Sequence, residues 1–525
     1  MPWSVVSRRD RVGGARRGFV LVGLVAAFVG CSEPAPEGPK PPPTYPGVKL
    51  TVGAVGDAAV LVGVAAQRGE WAASRKGEIE IASDAARTPE TAGDLDVLIF
   101  AGQDLGALID RGLLDEIPND VVLPPPPPAD ESGDRKPKPV DPDEPAEGFR
   151  YTDIAPAFRD QVSKSGSQRY ALPIGGSALV LAYRRDAFTS EANAKAAKEQ
   201  GIALEPPATW DQLDALARFF HGRDWDGDAQ PDSGLAVALG KDAEGVADAT
   251  FIARAASLGQ HRDHFSFLFD ADDLKPRLES PPFVEALRAV AAWKAVGPPG
   301  AEGFDVAAAR AAFREGKAAM LIDRAEKAAE WNSSKAVSVA PLPGSARVYE
   351  PMRKVWDEGS INRPSYLPSG GGWLAGVRKG LDTAKRDAAR DFILYLAEAE
   401  VANRLLAERP FPMLPARASQ MGRGLPDPAA APNVDARGWS TAVSRTLMAE
   451  RVIPGLRIPD AAGYLADLSD GRAAAVAGGP PEEALKDVAA AWAKRSEALG
   501  VARQLWHYRR SLNTMATSPE PPARP

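Results

Sequence analysis

Four aspartates, Asp224, Asp226, Asp228 and Asp232, stand at alternating or near-alternating positions. Hard carboxylate oxygens at positions 1, 3, 5 and 9 of a loop suit calcium. Position 6 is Ala229 where such loops carry glycine, and position 12 is Leu235 where a closing acid stands. A structural calcium ion and an acidic surface turn are the two readings. A second polar pair, Gln103 and Asp104, follows the apolar run 96–101. Ligands of open α/β sheets collect at the carboxyl ends of strands, so these two residues are candidate binding groups. The bland alternative for Asp104 is an acid at a helix N-terminus. His261 and His264 form an HxxH without a third ligand and read as surface residues. There is no G-x-S-x-G, no P-loop and no G-x-G-x-x-G after a strand, so neither nucleophilic nor nucleotide chemistry is marked out. Only four histidines and one cysteine, Cys31, are present. One cysteine excludes an internal disulfide, a redox pair and a Cys-built zinc site. No cofactor is expected beyond that calcium ion.

The elements that must carry these residues alternate. The run 48–54 reads as a half-buried strand, 58–70 as a helix, 78–82 as a strand, 96–101 as a strand buried on both faces, and 103–114 as a helix. Strand–helix alternation points to an α/β fold with a mainly parallel sheet. The run 170–186 holds two strands around Pro173, Gly175 and Gly176, and glycine opens backbone geometry closed to other residues. Thr209 and Gln212 have the spacing of a capping box opening the next helix. Residues 246–258, 282–296, 305–315 and 382–397 have helical spacing, with Ala389, Phe392, Ile393 and Leu396 on one face. Short strands are expected at 318–323 and within 337–344, the latter ending in a loop, and a glycine-rich turn leads into another at 373. The chain has 525 residues, 44% of them apolar, enough for two large domains. With 63 basic and 70 acidic side chains it carries no broad basic field, and no nucleic-acid partner is expected.

The N-terminus is built differently. Five arginines between 8 and 17 precede an apolar run, 19–30, too short to span a bilayer as a helix. A basic region, a short apolar region and small residues before a cut site describe a secretory signal over 1–30. The run ending in Val-Gly-Cys31 resembles a bacterial lipobox, whose cysteine is lipidated and becomes the first mature residue. Residues 31–46 are proline-rich and read as an extended tether. Five consecutive prolines open a solvated insertion at 123–147, and 514–525 reads as a disordered tail.

Taken in order, several segments resemble the extracellular solute-binding proteins of bacterial ABC sugar importers. They are the strand-loop-helix 96–106, the hinge-like 172–183, Pro207-Ala-Thr-Trp-Asp211, Phe313-Arg-Glu-Gly316-Lys-Ala-Ala-Met320, Pro341-Leu-Pro-Gly344, and Gly370-Gly-Gly-Trp-Leu-Ala-Gly376. The resemblance implies a two-lobed α/β periplasmic-binding-protein fold with discontinuous lobes joined by hinge strands. Lobe 1 is expected from 47–174 plus 341–400, and lobe 2 from 175–340 plus 401–513. It also implies a carbohydrate held in the interlobe cleft, closure around it, and delivery to the membrane subunits of an ABC permease. The product would be a monomeric, non-catalytic receptor of the cell envelope, anchored through Cys31.

Sugar sites combine polar groups for hydroxyls with aromatic planes for ring faces. Besides Gln103 and Asp104, the resemblance places Ser177 at a hinge position where maltose-binding relatives carry an acid. It places Asp323 and Arg324 after a strand where the family puts ligand contacts. Trp373 is a candidate stacking residue. Two other functions share these features: an envelope glycan sensor without a transporter, and a secreted glycoside hydrolase.

Overall fold

The computed structural model describes residues 42–123, 149–407, 413–424, 429–513, 518 and 520–523. The expected signal, Cys31, most of the tether, nearly all of the 123–147 insertion and most of the tail lie outside them. Thr44–Pro525 forms one compact unit.

Nine strands make two sheets: β1 (Lys49–Val55), β2 (Glu78–Arg87), β3 (Val97–Ala101), β4 (Leu172–Gly176), β5 (Leu179–Arg184), β6 (Ser233–Ala236), β7 (Ala318–Arg324), β8 (Val337–Pro341) and β9 (Gly372–Val377). The first sheet has the order β2-β1-β3-β9-β4 and the second β8-β5-β7-β6. β1, β2 and β3 run parallel, and β9 enters antiparallel between β3 and β4. All five residues of β3 are buried, as an apolar strand covered on both faces must be. The first core holds Trp71, Phe100, Phe158 and Phe392, and the second holds Phe220, Phe251, Phe269 and Trp492. This is the two-lobed α/β architecture expected.

Local signals act as their chemistry dictates. The Thr209 hydroxyl accepts from the Gln212 amide at 3.3 Å, and the Gln212 side chain accepts from the Thr209 amide at 3.1 Å. Asp382 caps Thr383–Ala397, whose Ala389, Phe392, Ile393 and Leu396 are fully buried.

Five expectations need correction. The extended tether ends before residue 46: Tyr45 stacks on Trp71, with ring centres 6.0 Å apart. Gly175 and Gly176 do not have positive φ. They are small because a β-carbon at Gly175 would meet Met413 at 2.5 Å, and one at Gly176 would meet Phe158 at 2.7 Å. The return crossing is not at 341–344. β8 continues into a hairpin, Ser345–Glu350 with Val355–Asn362, and the chain rejoins the first sheet only at β9. The helix Ala399–Ala407 packs on Leu61–Arg75 and β4, so it goes with lobe 1 and not with 401–513. His261 is buried and its Nε2 lies 3.1 Å from Asp357, because that hairpin folds over it.

The crossing has a strict steric requirement. Gly370 has φ +73°, and a β-carbon there would lie 2.0 Å from the Gln103 backbone nitrogen. Gly370→Ala is expected to cost about 3 kcal/mol or more, from backbone strain plus overlap with main chain that cannot rotate away. A urea midpoint within error of wild type would show that the crossing tolerates a side chain.

Candidate functional site

β3 delivers the chain into a short turn, Gly102–Asp104, which opens the helix α1 (Leu105–Asp110). Asp104 stands at the N-cap of α1, yet its side chain makes no capping hydrogen bond. Among the described residues its carboxyl has no hydrogen-bond partner. Burial, then the charge of Glu90, pushes it up to about 7. Gln103 and Asp104 line one cavity of about 580 Å3. Its near wall adds Thr88, Glu90 and Arg111. Its far wall comes from 459–462 and 498–504.

The other charged groups of this cavity are engaged. The Arg111 guanidinium donates to Glu90. Asp110 accepts from Arg503 and lies 2.9 Å from His507 Nε2. Burial opposes its ionisation, but the hydrogen bonds from His507 and Arg503 prevail and hold Asp110 at about 2. Arg495 binds both Asp460 and Asp467. Asp104 is therefore the acid of this cavity left for an outside donor.

The other expected ligand contacts do not join it. Asp323 is buried in the second lobe, where Arg310 reaches it at 2.6 and 3.0 Å. Arg310 also holds Glu244 and Glu330. Asp323 is thus half of a buried ion pair. Arg324 donates to Ser369 at 3.0 Å and to the Glu244 carbonyl, and lies 3.9 Å from Glu326. The Ser177 hydroxyl donates to Glu326, and its amide donates to the Gly371 carbonyl at 3.1 Å. Both therefore tie the two lobes together at the hinge. Trp373 sits in β9 opposite Ala101 and Gly175, partly buried against the first core and away from the cavity.

In the acidic loop, carboxylate oxygens of Asp224, Asp226 and Asp232 lie within 4.8 Å of one another, which could hold a cation. Asp228 is not in that group; its side chain accepts from the Gln230 amide. Burial, then Asp226, pushes Asp232 up to about 6.

Sequence reasoning missed Glu90 and the whole far wall. Glu90 follows β2 as Asp104 follows β3, so the strand-end rule would have found it. The sequence pattern predicts a strand ending at 82, whereas it runs to Arg87. The far wall begins at Pro459, in the last quarter of the chain, and no local pattern marks it.

Two α/β lobes crossed by hinge strands define the fold of periplasmic binding proteins. Residues 77–422 match the family described as bacterial extracellular solute-binding protein, and the chain belongs to it. It is a binding protein, not a catalyst, which removes the glycoside hydrolase reading. The fold is shared with an ABC transporter solute-binding protein from Agrobacterium radiobacter K84 in complex with ribitol, at 18% identity and TM-score 0.58, covering 86% of this chain and 100% of that one. A maltose-bound protein of T. maritima aligns at 18% identity and TM-score 0.56, covering 85% and 100%. A solute-binding protein from Agrobacterium vitis S4 with bound D-mannitol aligns at 18% and 0.55, covering 86% and 98%. No curated protein matches the sequence.

The folded state holds the Asp104 proton more tightly than the unfolded chain does. Its contribution to stability is greatest below pH 4, declines as pH rises toward 7, and is fully lost above 7. Asp104→Asn should remove this decline and leave the variant more stable than wild type at pH 8, by on the order of 3 kcal/mol. Thermal melts of both proteins from pH 4 to 8 would check it; parallel profiles would mean that Asp104 is solvated.

Proposed function

We propose that this protein captures a polyhydroxylated solute, a sugar or polyol, at the Asp104 cavity and delivers it to an ABC permease of the cell envelope. The observation that carries this reading is a half-buried carboxyl with no hydrogen-bond partner among the described residues, facing a cavity of ligand size. Ligand hydroxyls would supply the missing hydrogen bonds. The ribitol, maltose and mannitol held by proteins of the same fold support the class. The three converging aspartates are read as a calcium site that steadies the second lobe.

Thermal shift against a panel of sugars and polyols, run with calcium and with chelator, tests the binding. A true ligand stabilises by about 2.7 kcal/mol at a hundredfold excess over Kd. Asp104→Ala should weaken it about 10- to 100-fold, the worth of a hydrogen bond to a charged group. A panel without a shift in either condition argues against the reading.

Attachment through a lipidated Cys31 belongs to the same proposal and rests on the lipobox-like 19–31. Cys31→Ser should move the protein from the membrane pellet to the soluble fraction on expression in a bacterial host. Continued sedimentation with membranes would refute the anchor. Permease subunits recovered with the wild-type protein from detergent extracts would favour an importer over an envelope sensor.

A further inference from the structure

The far wall of the Asp104 cavity lies beyond the family match, which ends at 422. It is built by three helices, α2 (Ala461–Val476), α3 (Pro481–Leu499) and α4 (Val501–Ser511). α2 packs on Val246–Gly259 and on Pro281–Ala292 of the second lobe, and α3 packs on Pro281–Ala292. α4 is fastened to the first lobe by Asp110, which binds Arg503 and His507. Just before α2, the chain touches α1 main chain to main chain: a β-carbon on Gly106 would lie 2.3 Å from the Arg457 carbonyl oxygen. The Arg457 guanidinium, itself buried, donates to the Gln161 carbonyl at 2.7 Å and the Val162 carbonyl at 3.1 Å. The wall is thus held from both lobes.

Its chemistry is specific. Arg503 and Asp460 are already paired. Gln504 is buried and donates to the Pro459 carbonyl at 3.0 Å, while its Oε1 has no partner. The rest of the wall is small and apolar, with Ala461, Ala462, Ala498 and Leu499. Among the described residues, no aromatic lines this cavity on either wall. Ring sugars gain much of their affinity from an aromatic plane against the ring face. An open-chain polyol needs none. It needs acceptors for its hydroxyls on both sides, and Asp104 and Gln504 supply acceptors from the two walls.

We infer that the C-terminal segment completes the ligand pocket and makes it select open-chain polyols over ring sugars. This deepens the proposed function and rests on the Asp104 cavity being the binding site.

Calorimetric titration of the full mature chain with ribitol, mannitol, glucose and maltose tests it. One polyol should bind at least tenfold more tightly than either ring sugar. Ala462 and Ala498 are exposed, so Ala462→Trp and Ala498→Trp should fold normally, which an unchanged melting temperature without ligand verifies. Each should weaken polyol binding at least tenfold by filling the cavity from the far wall. Hydrogen exchange should slow at 498–504 when the polyol is bound. Tighter binding of glucose or maltose overturns the selectivity. Binding lost in Asp104→Ala but unchanged in both tryptophan variants, without protection at 498–504, overturns the C-terminal wall and leaves the cavity reading standing. Binding untouched by Asp104→Ala and by the tryptophans sinks the cavity reading together with the inference.

Discussion

The contact on which the site depends is main chain against main chain. The turn after β3 lies so close to the turn before β9 that neither Gly102 nor Gly370 has room for a β-carbon. The first turn aims Gln103 and Asp104, and the second is where the chain returns to the first sheet. Locking them together fixes the N-terminus of α1 at the hinge. Arg324 reaches Ser369 and Ser177 reaches Glu326 at the same place, so the hinge is braced by buried polar contacts on both sides.

Around this brace several buried charges among the described residues are paired. Arg310 gathers Asp323, Glu244 and Glu330, Arg472 holds Asp248, and Arg254 holds Asp214. Removing one partner of such a pair would strand a charge in a poor dielectric. Asp104 stands out against that pattern: it is half-buried and, among the described residues, has no internal donor. An unrelieved polar group is expensive to keep, and this one faces the cavity proposed to take the ligand.

The local architecture was legible because it rests on short-range chemistry. Apolar periodicity located β3 and the helix Thr383–Ala397, and the Thr209–Gln212 box located a helix start to the residue. The strand-end rule picked out Gln103 and Asp104. Asp323 shows the limit of that rule. Position after a strand says that a residue is near the cleft, but not whether another side chain already claims it. Arg310, thirteen residues before Asp323, does so. The hinge glycines suggest special backbone geometry in the sequence, whereas Met413 and Phe158 are what exclude a side chain there.

The sequence by itself determined the α/β class, the order of most elements, the family and one acid of the candidate cavity, because periodicity, capping and strand-end position act within a few residues. Only the tertiary structure decided what stands opposite that acid. The far wall joins residues 459–504 to residues 88–111 through the Gly106–Arg457 approach and the Asp110–Arg503 pair. Contacts between segments so distant follow from how whole helices pack, and no local pattern encodes them.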